Sequence, residues 1–525
     1  MLEKRHGDHH NANIKYGTFL LVLSMLVVSY IAVRNLTQPE VRARTKRDLR
    51  LPLWLSVLLW TAVVLGLGVV HVEELNEAAK RFGRLCYALL PLIVFLAIRP
   101  SPLPRTFYLK LLPLHKWLGR LATLVGVIHG VLYTAHFIQK GEFSKVFKLD
   151  NFLGVIILAV FLLMVVSSLP YFRKRMYSLF YTIHYLSAWF VAIATLFHAR
   201  PGVGWLFFWV GLFMGSSLLY RMFASTTVQI ESTEAMGPDL HRVTFPRSIL
   251  PEFFVPASHI RVSKSLRNPL TWISPSHPYT ISSLPSDEHV ELIVRPTKFS
   301  LAHASAGTQF SVYGPFESLP DDFFSTANRV LVFAGGAGIS FALPVVQTLA
   351  KAGISHKLVW VLRNKAGVSE VESRLSETPT DIYITGQDPF QGEGVVYAKD
   401  EEGTAGLLSE EMEMEEIGQE DNNRERDELD DLLSDDEGSS SQDSTKEVNK
   451  NKGKDQDGGK QETARTITYH DGRPSPSDTA SAFFLNRSAP EGKWILACGP
   501  NGLVMTAQQV AKKTGVRFCN ETYSM

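Results

Sequence analysis

Seven separate runs of the chain are long and apolar enough to cross a bilayer, near residues 17–33, 51–70, 82–98, 117–138, 152–169, 179–198 and 203–220. Backbone inside lipid must satisfy its own hydrogen bonds, so these runs predict an α-helical transmembrane bundle. The third run is the weakest, being short and holding Arg84 and Pro91. Loop charge argues for keeping it. Arg34, Arg42, Arg44, Lys46, Arg47 and Arg50 crowd one connection, Arg99, Arg105, Lys110 and Lys116 a second, and Arg173, Lys174 and Arg175 a third. The loops between are acidic or mixed (Glu73, Glu74 and Glu77; then Lys140, Glu142 and Asp150), so basic connections alternate only if all seven spans are counted. A multi-pass protein of this topology has its N-terminus outside or in a lumen and everything after Tyr220 in the cytosol. Residues 1–16 are polar and no small-residue cleavage site follows the first run, so that run is expected to stay as an anchor. The membrane, cell surface or endoplasmic reticulum, is left open.

Bulk composition conceals this mixture. The hydrophobic content is 45%, and the net charge of +1 is the balance of a basic first half against a very acidic stretch at 401–437. Nothing in it suggests a nucleic-acid partner. The three cysteines, Cys86, Cys498 and Cys519, form no CxxC pair, which argues against a disulfide framework, a thiolate zinc site or a cysteine-held cofactor.

From about residue 226 the texture changes to short alternating runs: TTVQIES, LHRVTFPR, HIRVSK, PYTISS, HVELIVRP and FSVYGPF. Six strands with Pro and Gly between them predict an antiparallel β-barrel. RVLVFAGG then leads through glycines into a helical stretch, followed by HKLVWVLRN, DIYITG and KWILACGP with another helix, the alternation of a parallel α/β nucleotide domain. The expected domains are 1–222, 223–325 and 326–525. Residues 388–490 interrupt the last: 401–437 hold 17 carboxylates against two arginines, and a Ser, Lys, Asp and Gly tract follows, so the whole segment reads as a disordered insertion.

Ionisable side chains inside spans are costly and usually functional. His115 and His129 bound the fourth run, His184 and His198 lie on the sixth, and each pair is 14 residues apart. Fourteen helical steps rise about 21 Å and end about 40° short of whole turns, so both members of a pair face one way near opposite membrane surfaces. With the fourth and sixth spans parallel, His115 meets His184 on the inner side and His129 meets His198 on the outer. One such histidine is more often a packing residue; two identical spacings on parallel spans favour a pair of stacked metal centres. Two neutral imidazoles closing a metal above and below suit a haem built for electron transfer. His136 has no partner at the matching spacing and is not counted. The N-terminal His6, His9 and His10 read better as a solvated tail than as a metal site.

At this point the chain resembles a known family. HKWLGR with His115, VIHG with His129, YTIHYL with His184 and LFHARPG with His198 are similar to the ferric reductase and NADPH oxidase superfamily, and nearest to its short metalloreductase-like members of budding fungi. The likeness covers nearly the whole chain except the acidic insertion. It implies two b-type haems, an FAD domain and an NADP domain of the ferredoxin-NADP reductase kind. His277, Pro278, Tyr279 and Thr280, followed by Ser282 and Ser283, look like the family's HPFT flavin signature, with tyrosine in place of phenylalanine. An aromatic beside a hydroxyl suits flavin, the ring packing on isoalloxazine and the hydroxyl bonding its edge.

Gly335, Gly336 and Gly338 follow a strand and open a helix, where bare backbone can approach a pyrophosphate. Cys498, Gly499 and Pro500 match the family's CGP turn beside the nicotinamide. Arg363, at the end of HKLVWVLRN, stands where a guanidinium can pair with the 2′-phosphate of NADPH, or is simply a surface arginine after a strand. RFCNETYSM resembles the family's terminal motif, with Glu521 near the hydride path and Tyr523 covering the flavin. The implied activity is NADPH-driven reduction of ferric or cupric ion across the membrane. Its rivals are an NADPH oxidase that makes superoxide from oxygen, and a non-enzymatic receptor or transporter, which explains the spans but neither the histidines nor the nucleotide motifs.

Overall fold

The computed structural model describes residues 2–37, 52–104, 106, 111–199, 202–266, 268–296, 301–386, 467–484 and 492–521. They form two compact units. One holds the chain up to Ala235 together with His241–Thr326, and the other Met236–Leu240 together with the chain from Ala327.

The first unit opens with helices α1 (Leu2–Thr37), α2 (Leu53–Val69), α3 (Leu75–Phe95), α4 (Leu112–Gln139), α5 (Leu149–Ser167), the short α6 (Pro170–Arg175), α7 (Tyr177–His198) and α8 (Gly204–Ala224). Among the described residues, five helical stretches are long and apolar enough to cross a membrane: Asn13–Thr37, α4, α5, α7 and α8. The apolar α2 is shorter, and α3 is the polar exception. Helix α3 packs against α1, α4 and α8, and Leu85, Tyr87, Ala88, Leu89 and Leu92 are all buried in the core of the bundle. A helix in that position can carry charge provided the charge is paired internally. Arg81, 1% exposed, bonds Glu77 at 2.7 Å, Asn13 at 2.5 Å and the Val70 carbonyl at 2.8 Å, and lies 3.9 Å over the Tyr16 ring. Tyr87 ties α3 to α7 by donating to the Ala192 carbonyl at 2.9 Å.

Seven strands follow in the same unit: β1 (Thr226–Gln229), β2 (Ser232–Ala235), β3 (His241–Pro246), β4 (His259–Lys264), β5 (His277–Thr280), β6 (His289–Val294) and β7 (Gln309–Phe316). The run TTVQIES, expected as one strand, divides into β1 and β2. The strands make two antiparallel sheets, ordered β1-β7-β4-β5 and β2-β3-β6. They enclose one core that includes Val243, Phe245, Ile260, Val262, Val290 and Leu292. The Ile281–Leu292 bridge joins them along one edge, and the Glu231 amide, bonding the Thr244 carbonyl, along another.

The second unit is a six-stranded parallel sheet ordered β11-β10-β9-β8-β12-β13, with β8 Arg329–Gly335, β9 Ser355–Leu362, β10 Thr380–Ile384, β11 Ile467–Asp471, β12 Lys493–Cys498 and β13 Arg517–Glu521. Consecutive strands β8 to β11 step outward one way, while β12 returns to the opposite side of β8. The unfolded insertion expected over 388–490 is too long at its C-terminal end. Residues 467–471 pair in parallel with β10, Thr380 opposite Ile467 through Ile384 opposite Asp471, and Pro476–Phe484 forms a helix whose Ala480 is fully buried. An edge strand with a largely exposed side needs no strong apolar pattern, so ITYHD carries little signal. Residues 387–466 lie outside the described residues.

Candidate functional site

Four imidazoles meet as two pairs inside the helical bundle. The His115 and His184 rings lie 6.1 Å apart between centres, and those of His129 and His198 also 6.1 Å. His115 Nδ1 lies 2.8 Å from the Ile93 carbonyl, His129 Nδ1 2.6 Å from that of Ala79, and His198 Nδ1 2.6 Å from that of Asp150. A carbonyl can only accept, so each of these Nδ1 atoms carries the proton and Nε2 is left with a lone pair. His184 packs on Phe180 at 5.6 Å, and its buried Nδ1 has no hydrogen-bond partner among the described residues. His136 joins no pair and sits 6.4 Å from Tyr133, which is itself 5.5 Å from His129.

This donor set fits a metal that needs only two protein ligands. Each pair could hold a haem, which would take both imidazoles from the protein and supply one-electron transfer when bound. Among the described residues no group of three or more His, Cys, Asp or Glu is placed to hold a metal ion. A bare ion would therefore be under-ligated, whereas a haem would need only the two imidazoles of a pair from the protein.

Two glycines that the sequence reading missed make room for the rings. A Cβ on Gly83 of α3 would stand 2.8 Å from the His129 ring, and one on Gly154 of α5 only 2.4 Å from His198. Their signal was present as small residues inside apolar helices, which mark close approach. An apolar pocket lined by Leu149, Phe152, Leu153, Ile156 and Phe197 opens beside His198.

In the antiparallel sheet, β5 carries the HPYT motif beside β4, with His277 opposite Val262, Pro278 opposite Arg261, Tyr279 opposite Ile260 and Thr280 opposite His259. Tyr279 is 9% exposed and belongs to the apolar core, with its phenol pushed up by burial, so its ring is packed inward and not displayed. Ser283 accepts from the Glu291 amide at 3.1 Å and Ser282 donates to the Glu291 carbonyl at 2.9 Å, pinning β6 to the chain beyond the motif. Burial and then the Arg261 charge bring His277 down to about 4 and His259 to about 3, so both rings are neutral near pH 7. Arg261, 3% exposed, bonds Ser276 and Tyr313.

In the second unit, the glycine turn and the CGP turn touch backbone to backbone. Strands β8 and β12 are neighbours with Ala334 opposite Cys498. A Cβ on Gly338 would lie 2.2 Å from the Cys498 carbonyl oxygen, and one on Gly335 2.5 Å from Pro500. Gly336 (φ +53°) and Gly499 (φ +149°) adopt backbone that side chains disfavour. Each turn opens a helix, Ile339–Lys351 and Asn501–Thr514, and the two follow the neighbouring strands β8 and β12, where the sheet order reverses, the usual ligand position in such sheets. Cys498 Sγ lies 4.0 Å from a carboxyl oxygen of Glu521, itself 3% exposed, and burial followed by that carboxyl drives the thiol well above its ordinary range. Arg363 is exposed at the end of β9, its carbonyl accepting from the Gly386 amide at 3.0 Å. Tyr523 lies outside the described residues.

Family models match the chain in the same three parts: "Ferric reductase like transmembrane component" over residues 82–195, "FAD-binding domain" over 225–305 and "Ferric reductase NAD binding domain" over 327–512. "Probable metalloreductase AIM14" of Yarrowia lipolytica is 90% identical over 525 residues, 100% of each chain. The chain belongs to the ferric reductase family. Its relatives extend to the protein of the same name from Debaryomyces hansenii, 33% identical over 99% of this chain and 98% of that one. Among solved structures, a ferredoxin NADP+ reductase from Neisseria gonorrhoeae with bound FAD and NADP covers 57% of this chain and 98% of its own at 10% identity, with a TM-score of 0.35, too slight a likeness to carry an argument. Family membership makes the chain an oxidoreductase and a multi-pass membrane protein with FAD- and NAD-binding domains.

Proposed function

We propose that this chain carries electrons from cytosolic NADPH, by way of FAD and two b-type haems, to ferric or cupric ion on the far side of the membrane. The observation that carries the reading is the two facing imidazole pairs, each 6.1 Å between centres, with three of the four Nδ1 atoms held by carbonyls. His115 and His184 would hold the inner haem, and His129 and His198 the outer. When bound, the flavin would take the hydride of NADPH and the haems would pass its electrons singly, so that one NADPH reduces two metal ions and leaves NADP+ and one proton. The name metalloreductase on the relatives supports a metal acceptor over oxygen.

The alternating basic loops, together with α1–α5, α7 and α8, five of which are long and apolar enough to cross a membrane, support seven spans with an outer or luminal N-terminus and cytosolic residues 223–325 and 326–525. We assign the flavin to the antiparallel sheets, read as a barrel, with His277, Pro278, Thr280 and Ser283 about it and the Tyr279 ring supporting them from the core. The pyrophosphate goes to Gly335, Gly336 and Gly338 and the helix they open. Gly499 and Pro500 shape the nicotinamide end, where Cys498 stays a neutral thiol and Glu521 borders the hydride path. Arg363 takes the 2′-phosphate, and Tyr523 covers the flavin.

Full-length protein in sealed liposomes, with NADPH supplied on the cytosolic face, tests the reading. Reduction of an impermeant ferric chelate trapped on the opposite face is the expected result. Superoxide there without chelate reduction would make it an oxidase, and a reduced spectrum without haem bands would overturn the proposal.

A further inference from the structure

The loop that leads into the flavin strand is held by the membrane helices. Arg221, in the last turn of α8, donates to the carbonyls of Thr271 at 2.8 Å and of Trp272 and Ser274 at 3.3 Å each. Thr182 of α7 donates to the Ile273 carbonyl at 3.2 Å. Arg261 of β4 bonds the Ser276 carbonyl and, at 2.9 Å, its hydroxyl. Five carbonyls in the six residues from Thr271 to Ser276 are thus taken by side chains from other elements. The loop is also folded back on itself, since Thr271 bonds the Ser265 carbonyl at 3.0 Å and the Trp272 indole the Leu266 carbonyl at 3.1 Å.

Connecting loops usually give their carbonyls to water, which leaves them free to shift. Here a planar guanidinium fork reaches three carbonyls at once, a geometry that fixes direction as well as distance. Thr182 stands two residues before His184 on the same helix, about 3 Å along its axis, so the loop is tied at the height of the inner imidazole pair. One residue past the loop the chain becomes His277–Thr280.

We propose that Arg221 is a positioning residue: by gripping Thr271–Ser276, with Thr182, it sets the flavin strand at a fixed place against the helix that carries His184. The proposal rests on the reading of the chain as a reductase bearing flavin and haem. It assigns Arg221 no part in binding either group, only in their separation.

The test uses the full-length protein in nanodiscs as Arg221→Met and Thr182→Val. Three measurements are made: haem and flavin stoichiometry by absorption, amide hydrogen exchange across residues 271–280, and stopped-flow mixing with NADPH that follows flavin bleaching and haem reduction separately. For Arg221→Met, stoichiometry and the NADPH dependence of flavin bleaching stay at wild-type values, loop amides exchange at least about tenfold faster, and haem reduction slows by about tenfold to hundredfold, the scale of a misplacement near 1 Å. Thr182→Val, which removes one bond of the set, changes both in the same direction by less. Wild-type haem reduction in Arg221→Met, or unchanged exchange across the loop, overturns the proposal. If Arg221→Met fails to retain its cofactors, Thr182→Val decides alone, and a wild-type rate with wild-type exchange overturns it. Absence of haem from the wild-type protein would sink the functional reading instead, while the exchange data still report whether the grip exists.

Discussion

At Gly154 the space for a side chain is already occupied. A methyl group there would stand 2.4 Å from the His198 ring, whereas Gly211 and Gly215 on α8 have nothing within 4 Å of the same added atom. Overpacking of this kind costs about 1–3 kcal/mol, and the imidazole is the part that can move. Gly154→Ala is therefore expected to lower haem stoichiometry from two per chain toward one, with Gly215→Ala as the control that keeps two. Arg363 makes the opposite kind of prediction, because it is exposed and, in the proposed reading, meets the 2′-phosphate and not the hydride. Arg363→Ala should raise KM for NADPH about tenfold to hundredfold, the worth of a charged hydrogen bond of about 1.5–3 kcal/mol, and leave kcat and the constants for NADH nearly unchanged. Equal effects on the two nucleotides would make it an ordinary surface residue. Which histidines meet was legible in the sequence because the 14-residue spacing repeats on two spans. Their carbonyl partners were not, since each comes from another helix and nothing local marks it; the two glycines left only the weak signal of small residues within helices.

Among the elements, β11 sets where the acidic insertion can be cut. Its five residues pair along the whole of β10, and the helix after it buries Ala480 against Phe333 and Ile495 in the sheet core. Deleting 400–460 removes the segment whose 17 carboxylates lie within 401–437 and spares the strand, so flavin content and NADPH oxidation should be retained. Deleting 400–480 takes out β11 and part of that helix, and should abolish NADPH oxidation in the same assay. Equal activity of the two truncations would mean that β11 is dispensable. The helices, most strands and the glycine turn could be read from apolar run length, alternation and punctuation. Helix α3 gave the weakest apolar run because that run is short and holds Arg84 and Pro91, yet the helix lies in the core of the bundle, where Glu77 and Arg81 just before the run satisfy each other. Tyr279 was read as a ring displayed to flavin, yet register places it opposite Ile260 in the core. Alternation tells that two residues face opposite sides of a strand but not which side is covered.

The molecule as a whole is a series circuit under this reading, and a series has an order that can be tested. In the proposed orientation His115 and His184 lie toward the cytosolic ends of α4 and α7, and His129 and His198 lie 14 residues further along the same helices, about 21 Å toward the other face. Electrons entering from NADPH must then meet the inner pair first. Replacing His129 and His198 together by alanine should leave one haem per chain that NADPH still reduces, with no electrons delivered to a ferric chelate trapped on the far side. Replacing His115 and His184 together should leave one haem that stays oxidised under NADPH but is reduced by dithionite, and again no delivery. The two double variants look alike in chelate reduction and differ only in the spectrum, which separates order from mere necessity. Haem that remains NADPH-reducible in both would place the pairs in parallel and break the proposed sequence. Flavin bleaching by NADPH should proceed in both, because the proposed flavin and nucleotide residues lie on strands and turns after α8 and not on the helices that carry the four histidines.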